Sequence, residues 1–77
     1  MTVKIYKGYA IMKIDDWKAS AEETHGNTSP MAEVNEDYQY LKSIGHRWVA
    51  VSECCIESLY GSDKTLKNLK AIIKAYN

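Results

Sequence analysis

The chain has 77 residues, of which 45% are hydrophobic and 26% are charged, and its formal net charge is zero. This composition excludes an intrinsically disordered chain, because disorder combines low hydrophobicity with high net charge. No apolar stretch approaches the roughly 20 residues that span a bilayer, and nothing at the N-terminus has the pattern of a signal peptide. We therefore expect one folded domain over residues 1–77, with no membrane partner and a cytoplasmic location.

The N-terminal segment predicts β-strands. Val3-Lys4-Ile5-Tyr6 alternates between apolar and polar side chains, as a half-buried strand does. Gly8 marks a turn or a bulge, and Tyr9 to Ile14 resumes the extended pattern. Asp15-Asp16 then predicts a tight turn, which leads into a returning strand at Trp17-Lys18-Ala19-Ser20.

A polar loop and a helix follow. Glu22 to Ser29 is polar and contains Gly26, which predicts a loop. Ser29-Pro30 predicts a helix start, with a capping hydroxyl and a proline at the first helical position. Gly45 predicts the end of this helix, because helices commonly end at a glycine in the left-handed conformation. The helix therefore covers residues 30–44, or begins as late as Asn35, and its apolar residues recur at steps of three and four: Met31, Val34, Tyr38 and Leu41.

The C-terminal part predicts two further strands and a second helix. Arg47 to Glu53 alternates around Trp48, and Cys55 to Tyr60 continues as a strand that ends at Gly61. Ser62-Asp63 predicts the cap of the last helix. Its apolar residues fall within about 120° of the helix circumference. They are Leu66, Leu69, Ile72, Ile73 and Tyr76.

Together these elements predict a small α+β domain. We expect a mainly antiparallel sheet of three or four strands, with the first helix inserted between two hairpins and the C-terminal amphipathic helix packed on one face. The predicted core consists of Val3, Ile5, Ile11, Trp17, Leu41, Trp48, Val51, Ile56, Leu59, Leu66, Leu69, Ile72 and Ile73.

The sequence predicts neither a catalytic site nor a metal site. The candidate ligands are His25, His46, Cys54 and Cys55, and their spacing matches no Cys-x-x-Cys or His-x-x-x-His pattern. Neighbouring cysteines on a strand point to opposite faces, which is unfavourable for chelation. No sequence feature places a base beside a cysteine nucleophile, and the glycines form no phosphate-binding loop. We therefore expect a non-enzymatic protein that uses no cofactor.

Charge is segregated along the chain. Residues 15–37 hold seven acidic side chains and one lysine, whereas residues 1–14 hold three lysines and residues 62–77 hold four lysines and one aspartate. Tyrosines among carboxylates suit the binding of a basic patch on a partner protein, because the rings provide contact area and the carboxylates steer association. The candidate residues are Glu22, Glu23, Glu33, Glu36, Asp37, Tyr38 and Tyr40.

A lysine stripe on the last helix favours an alternative. Lys64, Lys67, Lys70 and Lys74 would follow a phosphate backbone in a small nucleic-acid-binding protein. Both charged surfaces are equally compatible with the solvated sides of amphipathic helices. Self-assembly through an open sheet edge is a third possibility, so the sequence is compatible with a monomer or a dimer.

Both ends of the chain resemble known small proteins. The start Ile5-Tyr6-Lys7-Gly8-Tyr9-Ala10-Ile11, the Trp-x-Ala segment at Trp17 and the ending Thr65 to Tyr76 resemble short accessory proteins of phages and mobile elements, anti-CRISPR-type inhibitors among them. Glu22 to Ile44 is then an insertion. The resemblance implies a phage- or mobile-element-encoded inhibitor that occupies the surface of a host defence complex such as CRISPR-Cas. It carries over no catalytic or binding residue.

Overall fold

The structure, a computed structural model, describes residues 4–26 and 28–75. Its elements follow the order β1 (Lys4–Tyr6), β2 (Tyr9–Lys13), α1 (Ile14–His25), α2 (Ser29–Ser43), β3 (Trp48–Ser52), β4 (Leu59–Asp63) and α3 (Leu66–Ala75). The strands form one antiparallel sheet in the order β1-β2-β3-β4. The predicted α+β fold is confirmed, although two helices rather than one are inserted between the hairpins.

One face of the sheet packs against the two inserted helices. Alternate residues of β2 and β3 point to this face, since side chains alternate along a strand. They join residues of α1 and α2 in a buried cluster that includes Met12, Val49, Val51, Trp17 and Val34. The indole N–H of Trp17 donates a hydrogen bond of 2.8 Å to the carbonyl oxygen of Ile56, which ties α1 to the loop between β3 and β4.

The last helix covers the opposite face, as predicted. Ile11 and Ala50 of the sheet form a second buried cluster with Leu69 and Ile73 of α3. This cluster is small, and partly buried aromatic and aliphatic side chains pack around it. The sheet therefore lies between two helical layers, and the short chain divides its core between the two faces.

The strand predicted at Trp17 to Ser20 is wrong, because these residues belong to α1. Trp17 and Ala21 are both buried, and positions four apart share a face of a helix. Asp15 and Asp16, predicted as a tight turn, occupy the first turn of α1, where carboxylates interact favourably with the helix dipole. Because α1 continues to His25, the loop predicted over Glu22 to Ser29 is also wrong for its first half.

The helix predicted over residues 30–44 is confirmed as α2. Thr28 rather than Ser29 is the N-terminal cap residue, and Pro30 lies in the first turn. The predicted capping hydroxyl is wrong, because the cap residue makes no side-chain hydrogen bond to the helix. At the other end Gly45 has a φ of 84°, as its predicted role requires. The N–H of His46 bonds the Leu41 carbonyl at 3.0 Å and that of Gly45 bonds the Lys42 carbonyl at 3.1 Å, the paired bonds of a Schellman motif.

The strand predicted over Cys55 to Tyr60 lies further along the chain in the structure. β3 is confirmed, but β4 begins at Leu59 and continues through Gly61, where a strand end was expected. The prediction of a Cys55 to Tyr60 strand is wrong for its first four residues, because the N–H of Ser58 bonds the carbonyl of Cys55 at 2.9 Å and closes a turn. The hydroxyl of Thr65 accepts the N–H of Asn68 at 3.2 Å, so Thr65 caps α3 in place of Ser62-Asp63.

The predicted core is correct at its centre and wrong at its edges. Ile5 is 60% exposed on the edge strand β1, while Val3 lies outside the described residues, as does Tyr76 of the predicted apolar side of the last helix. Several predicted core residues are only half-buried: Trp48, Ile56, Leu59, Leu66 and Ile72. Buried residues that were not predicted include Ala10, Met12, Ile14, Ala21, Met31, Val34, Val49 and Ala50. In the described part of the chain, no helix combines the length and the apolar character needed to cross a membrane.

Candidate functional site

The outward side of α2 carries four of the predicted binding residues. Glu33, Glu36 and Tyr40 are exposed and Asp37 is half-buried, on the side away from the buried apolar residues of the helix. We call these four residues the α2 acidic face. Tyr40 is 64% exposed, and Ile44, just beyond the end of the helix, is 39% exposed. The face therefore combines charge with accessible apolar area.

The carboxylates of the α2 acidic face have no partner within the described residues. No ion pair or side-chain hydrogen bond engages Glu33, Glu36 or Asp37, and none engages the phenol of Tyr40. Among the described residues, no cation lies in ion-pair contact with these carboxylates. Such a surface attracts a positively charged partner at a distance set by ionic strength.

Tyr38 points away from this face and joins the two inserted helices. Its O–H donates a hydrogen bond of 2.6 Å to Oδ1 of Asp15. The ammonium of Lys42 donates to Asp15 at 3.0 Å and to the Tyr38 oxygen at 2.9 Å. The hydrogen bond from Tyr38, followed by that from Lys42, lowers the pKa of Asp15. Bonds to Tyr38 and then Asp15 raise the pKa of Lys42.

The two acidic residues predicted on α1 lie apart from the α2 acidic face. Glu22 lines a shallow groove between α1 and α2 together with Asn35. Asn35 is two positions from Glu33 and therefore points to a different side of α2. Glu23 is exposed on the outer side of α1. The predicted acidic residues thus occupy separate surfaces.

The four lysines of the alternative prediction do not form one row. Lys67 and Lys74 are exposed on the same side of α3, whereas Lys70 is half-buried. The ammonium of Lys70 lies 5.5 Å from the ring centre of Tyr6, within the range of a cation–π interaction. Lys64 precedes the helix. Of the four lysines, Lys67 and Lys74 therefore share one exposed side of α3.

A basic groove that was not predicted opens where β2 meets α1 and β3 begins. Its volume is about 640 Å³, within the range of small-molecule sites. Its charged and ring-bearing lining residues are Lys13, Lys42, Arg47, Asp15, His46 and Trp48. A recess of about 130 Å³ shares Lys13 and Trp48 with the groove and adds Lys4 and Asp16. Cations therefore outnumber carboxylates in both cavities.

The two cysteines lie side by side in the turn after β3, not on opposite faces of a strand. Their sulfur atoms are 3.3 Å apart, and Sγ of Cys54 is 3.2 Å from Oγ of Ser52. The Ser52 hydroxyl, followed by the Cys55 thiol, lowers the pKa of Cys54, whereas Cys54 raises the pKa of Cys55. Among the described residues, no cluster of three or more histidine, cysteine or acidic side chains could hold a metal ion.

No family model, curated protein or solved structure matches this chain. The resemblance to phage and mobile-element proteins stays a prediction.

Proposed function

We propose that this protein is a non-enzymatic protein-binding module and that its α2 acidic face binds a basic surface of a partner protein. The observation that carries the proposal is a set of carboxylates around an exposed tyrosine that form no ion pair with any described residue. Tyrosine is enriched at protein interfaces because it combines a large apolar area with a polar tip. Carboxylates on the same helix face supply steering towards a basic partner.

The face belongs to a helix that is already packed against the rest of the fold. Met31, Val34 and Leu41 are buried beneath it, and the bonds between Tyr38, Asp15 and Lys42 hold α2 against α1. A surface ordered in advance loses less conformational entropy on association. The face is therefore suited to binding without a folding step.

Inhibition of a host defence complex, which the phage resemblance implies, is a narrower form of the same proposal. Complexes that bind nucleic acid present lysine- and arginine-rich surfaces to the phosphate backbone. An acidic helix face is electrostatically complementary to such a surface. Occupying it would block the complex without any catalytic group on the inhibitor.

The test compares two matched pairs of neutral substitutions. Glu33→Gln with Glu36→Gln removes two carboxylates from the α2 acidic face, and Glu22→Gln with Glu23→Gln removes two from α1. The immobilised proteins are used to isolate binding partners from host lysate, and each partner is purified and its Kd measured. We expect the α2 pair to weaken binding about tenfold, since close interface charge pairs contribute more than about 1.4 kcal/mol.

Tyr40→Ala provides the second arm. Because the ring is largely exposed, its removal should leave the circular dichroism spectrum unchanged while it weakens binding about tenfold or more, as truncation of an interface tyrosine does. Equal affinities for the wild type, the α2 pair and Tyr40→Ala would disprove the role of this face. A larger loss in the α1 pair would move the binding surface to α1.

A further inference from the structure

We propose that the basic groove is a second binding site, which takes single-stranded nucleic acid with a base stacked on Trp48 and phosphates on Lys13 and Arg47. The inference goes beyond the protein-binding role of the α2 acidic face, because it uses different residues and a ligand of opposite charge. It also differs from the α3 lysine stripe, since Lys67, Lys70 and Lys74 do not line the groove.

Trp48 provides the stacking surface. It is the first residue of β3, opposite Lys13 of β2 and Asp63 of β4 in the sheet. The indole is half-buried, packs against the cluster beneath α3, and lines both the groove and the adjoining recess. Stacking on an aromatic ring is tolerant of sequence because every base has a π-face.

Two cations beside this ring are not held by carboxylates. Neither Lys13 nor Arg47 forms an ion pair within the described residues, and both side chains are exposed. The ammonium of Lys13 lies over the Trp48 ring, 5.9 Å from its centre and within the range of a cation–π interaction, so a stacking base would displace it from the ring towards a phosphate. The one carboxylate in the groove, Asp15, is already bonded to Lys42. The groove therefore carries net positive charge beside an aromatic ring.

The floor of the groove is held by backbone hydrogen bonds. The N–H of Ile14 bonds the Arg47 carbonyl at 2.8 Å, and the N–H of Arg47 bonds the Asp63 carbonyl at 3.1 Å. These bonds join the start of α1, the residue before β3 and the end of β4. The position of Arg47 relative to Trp48 therefore depends on the backbone and survives substitution of its side chain.

The combination of an aromatic ring and cations in the groove favours single-stranded nucleic acid over other anions. An acidic peptide would use Lys13 and Arg47 but has no base to stack on Trp48. A duplex keeps its bases inside the stack and would have to expose one to reach the ring. A single strand offers a phosphate and an unpaired base in every nucleotide.

Trp48 fluorescence provides the direct measurement. Trp17 is fully buried, so quenching on addition of oligothymidylate reports on Trp48. We expect quenching with an oligonucleotide of about 12 nucleotides, a length within the range that small binding domains cover. Binding should weaken with salt, with a slope of log K against log salt of about −1.4 for two phosphate contacts on a single strand.

Charge-reversal variants test whether the groove or α3 binds the nucleic acid. Lys13→Glu with Arg47→Glu should weaken binding about tenfold or more, because two phosphate contacts become repulsive. Lys67→Glu with Lys74→Glu makes the same charge change on α3 and should alter the Kd less than about twofold if the groove is the site. Trp48→Leu keeps an apolar side chain but removes the ring, and should weaken binding about tenfold. Circular dichroism confirms that each variant is folded.

Three results would overturn this inference. The first is the absence of binding to oligothymidylate at low salt. The second is a larger loss in the α3 pair than in the groove pair. The third is equal binding of polyglutamate, inorganic polyphosphate or duplex DNA without quenching of Trp48, which would show a groove that takes anions without stacking. None of these results bears on the α2 acidic face, so the two proposals fail separately.

Discussion

Tyr38 has a different environment in the folded chain from the one its neighbours in sequence suggest. It lies among Glu36, Asp37 and Tyr40 in sequence, yet its phenol contacts Asp15, 23 positions away. The ammonium of Lys18 lies 4.7 Å from the centre of its ring. Tyr38 thus connects α1 and α2, and this connection orients the α2 acidic face.

We predict that Tyr38→Phe raises the pKa of Asp15 towards its ordinary value of 3.8. The substitution removes the hydrogen bond that contributes most to the lowered pKa. A carboxyl whose pKa is lowered in the folded state stabilises the fold above its ordinary pKa, and this stabilisation is lost as the pH falls through the lowered value. Tyr38→Phe should therefore reduce the pH dependence of unfolding below about pH 4.

Carboxyl ¹³C NMR titration measures this pKa directly. Tyr40→Phe is the matched control, because the Tyr40 phenol has no partner within the described residues. An unchanged Asp15 pKa in Tyr38→Phe would contradict the assigned hydrogen bond.

At the scale of the elements, the junction between α2 and β3 depends on one backbone conformation. Gly45 adopts a φ of 84° at the end of α2, which residues with a Cβ rarely adopt. The next residues, His46 and Arg47, line the basic groove. The glycine therefore sets the direction in which the chain enters the groove.

Gly45→Ala should destabilise the protein by about 1 kcal/mol or more, since alanine is strained in the left-handed region. Gly61→Ala is the control: its φ is not left-handed, and the added Cβ would lie 4.0 Å from Cδ1 of Leu69, an ordinary contact. We expect that variant to stay within about 0.5 kcal/mol of the wild type. Urea unfolding measures the free energy of unfolding of both variants. Equal stabilities would contradict the left-handed conformation assigned to Gly45.

At the scale of the whole molecule, stability depends on cores on both faces of the sheet. Among the residues that the structure describes, the face under α3 buries four side chains: Ile11, Ala50, Leu69 and Ile73. A domain of 77 residues buries a smaller share of its surface than a larger one and has modest stability. Each buried side chain on this face therefore contributes a large part of the total.

Ile73→Ala should destabilise the protein by about 2–5 kcal/mol, because it removes a fully buried side chain and leaves a cavity. Ile72→Ala changes the neighbouring residue, which is only half-buried, and should lower the free energy of unfolding clearly less than Ile73→Ala does. The difference between the two urea midpoints tests whether α3 packs with this orientation. Equal losses would show that it does not.

The agreement between sequence and structure is closest where one element has a strong pattern of its own. The apolar spacing predicted α2 and α3, and alternation predicted β1 and β3, because these periods follow from helix and strand geometry. The segment Trp17 to Ser20 is too short to separate a period of two from a period of 3.6. It is helical because Trp17 and Ala21 both pack into the core over the sheet.

The two candidate surfaces show the same contrast. The α2 acidic face could be predicted because its residues lie within one helix and share a side through the helical period. The basic groove could not, because Lys13, Lys42, Arg47 and Trp48 come from separate segments. Strand pairing places Lys13 opposite Trp48, and the turn at Gly45 brings the end of α2 beside them. Local periodicity thus accounts for the elements and the acidic face, whereas the groove arises from long-range pairing, which no local pattern encodes.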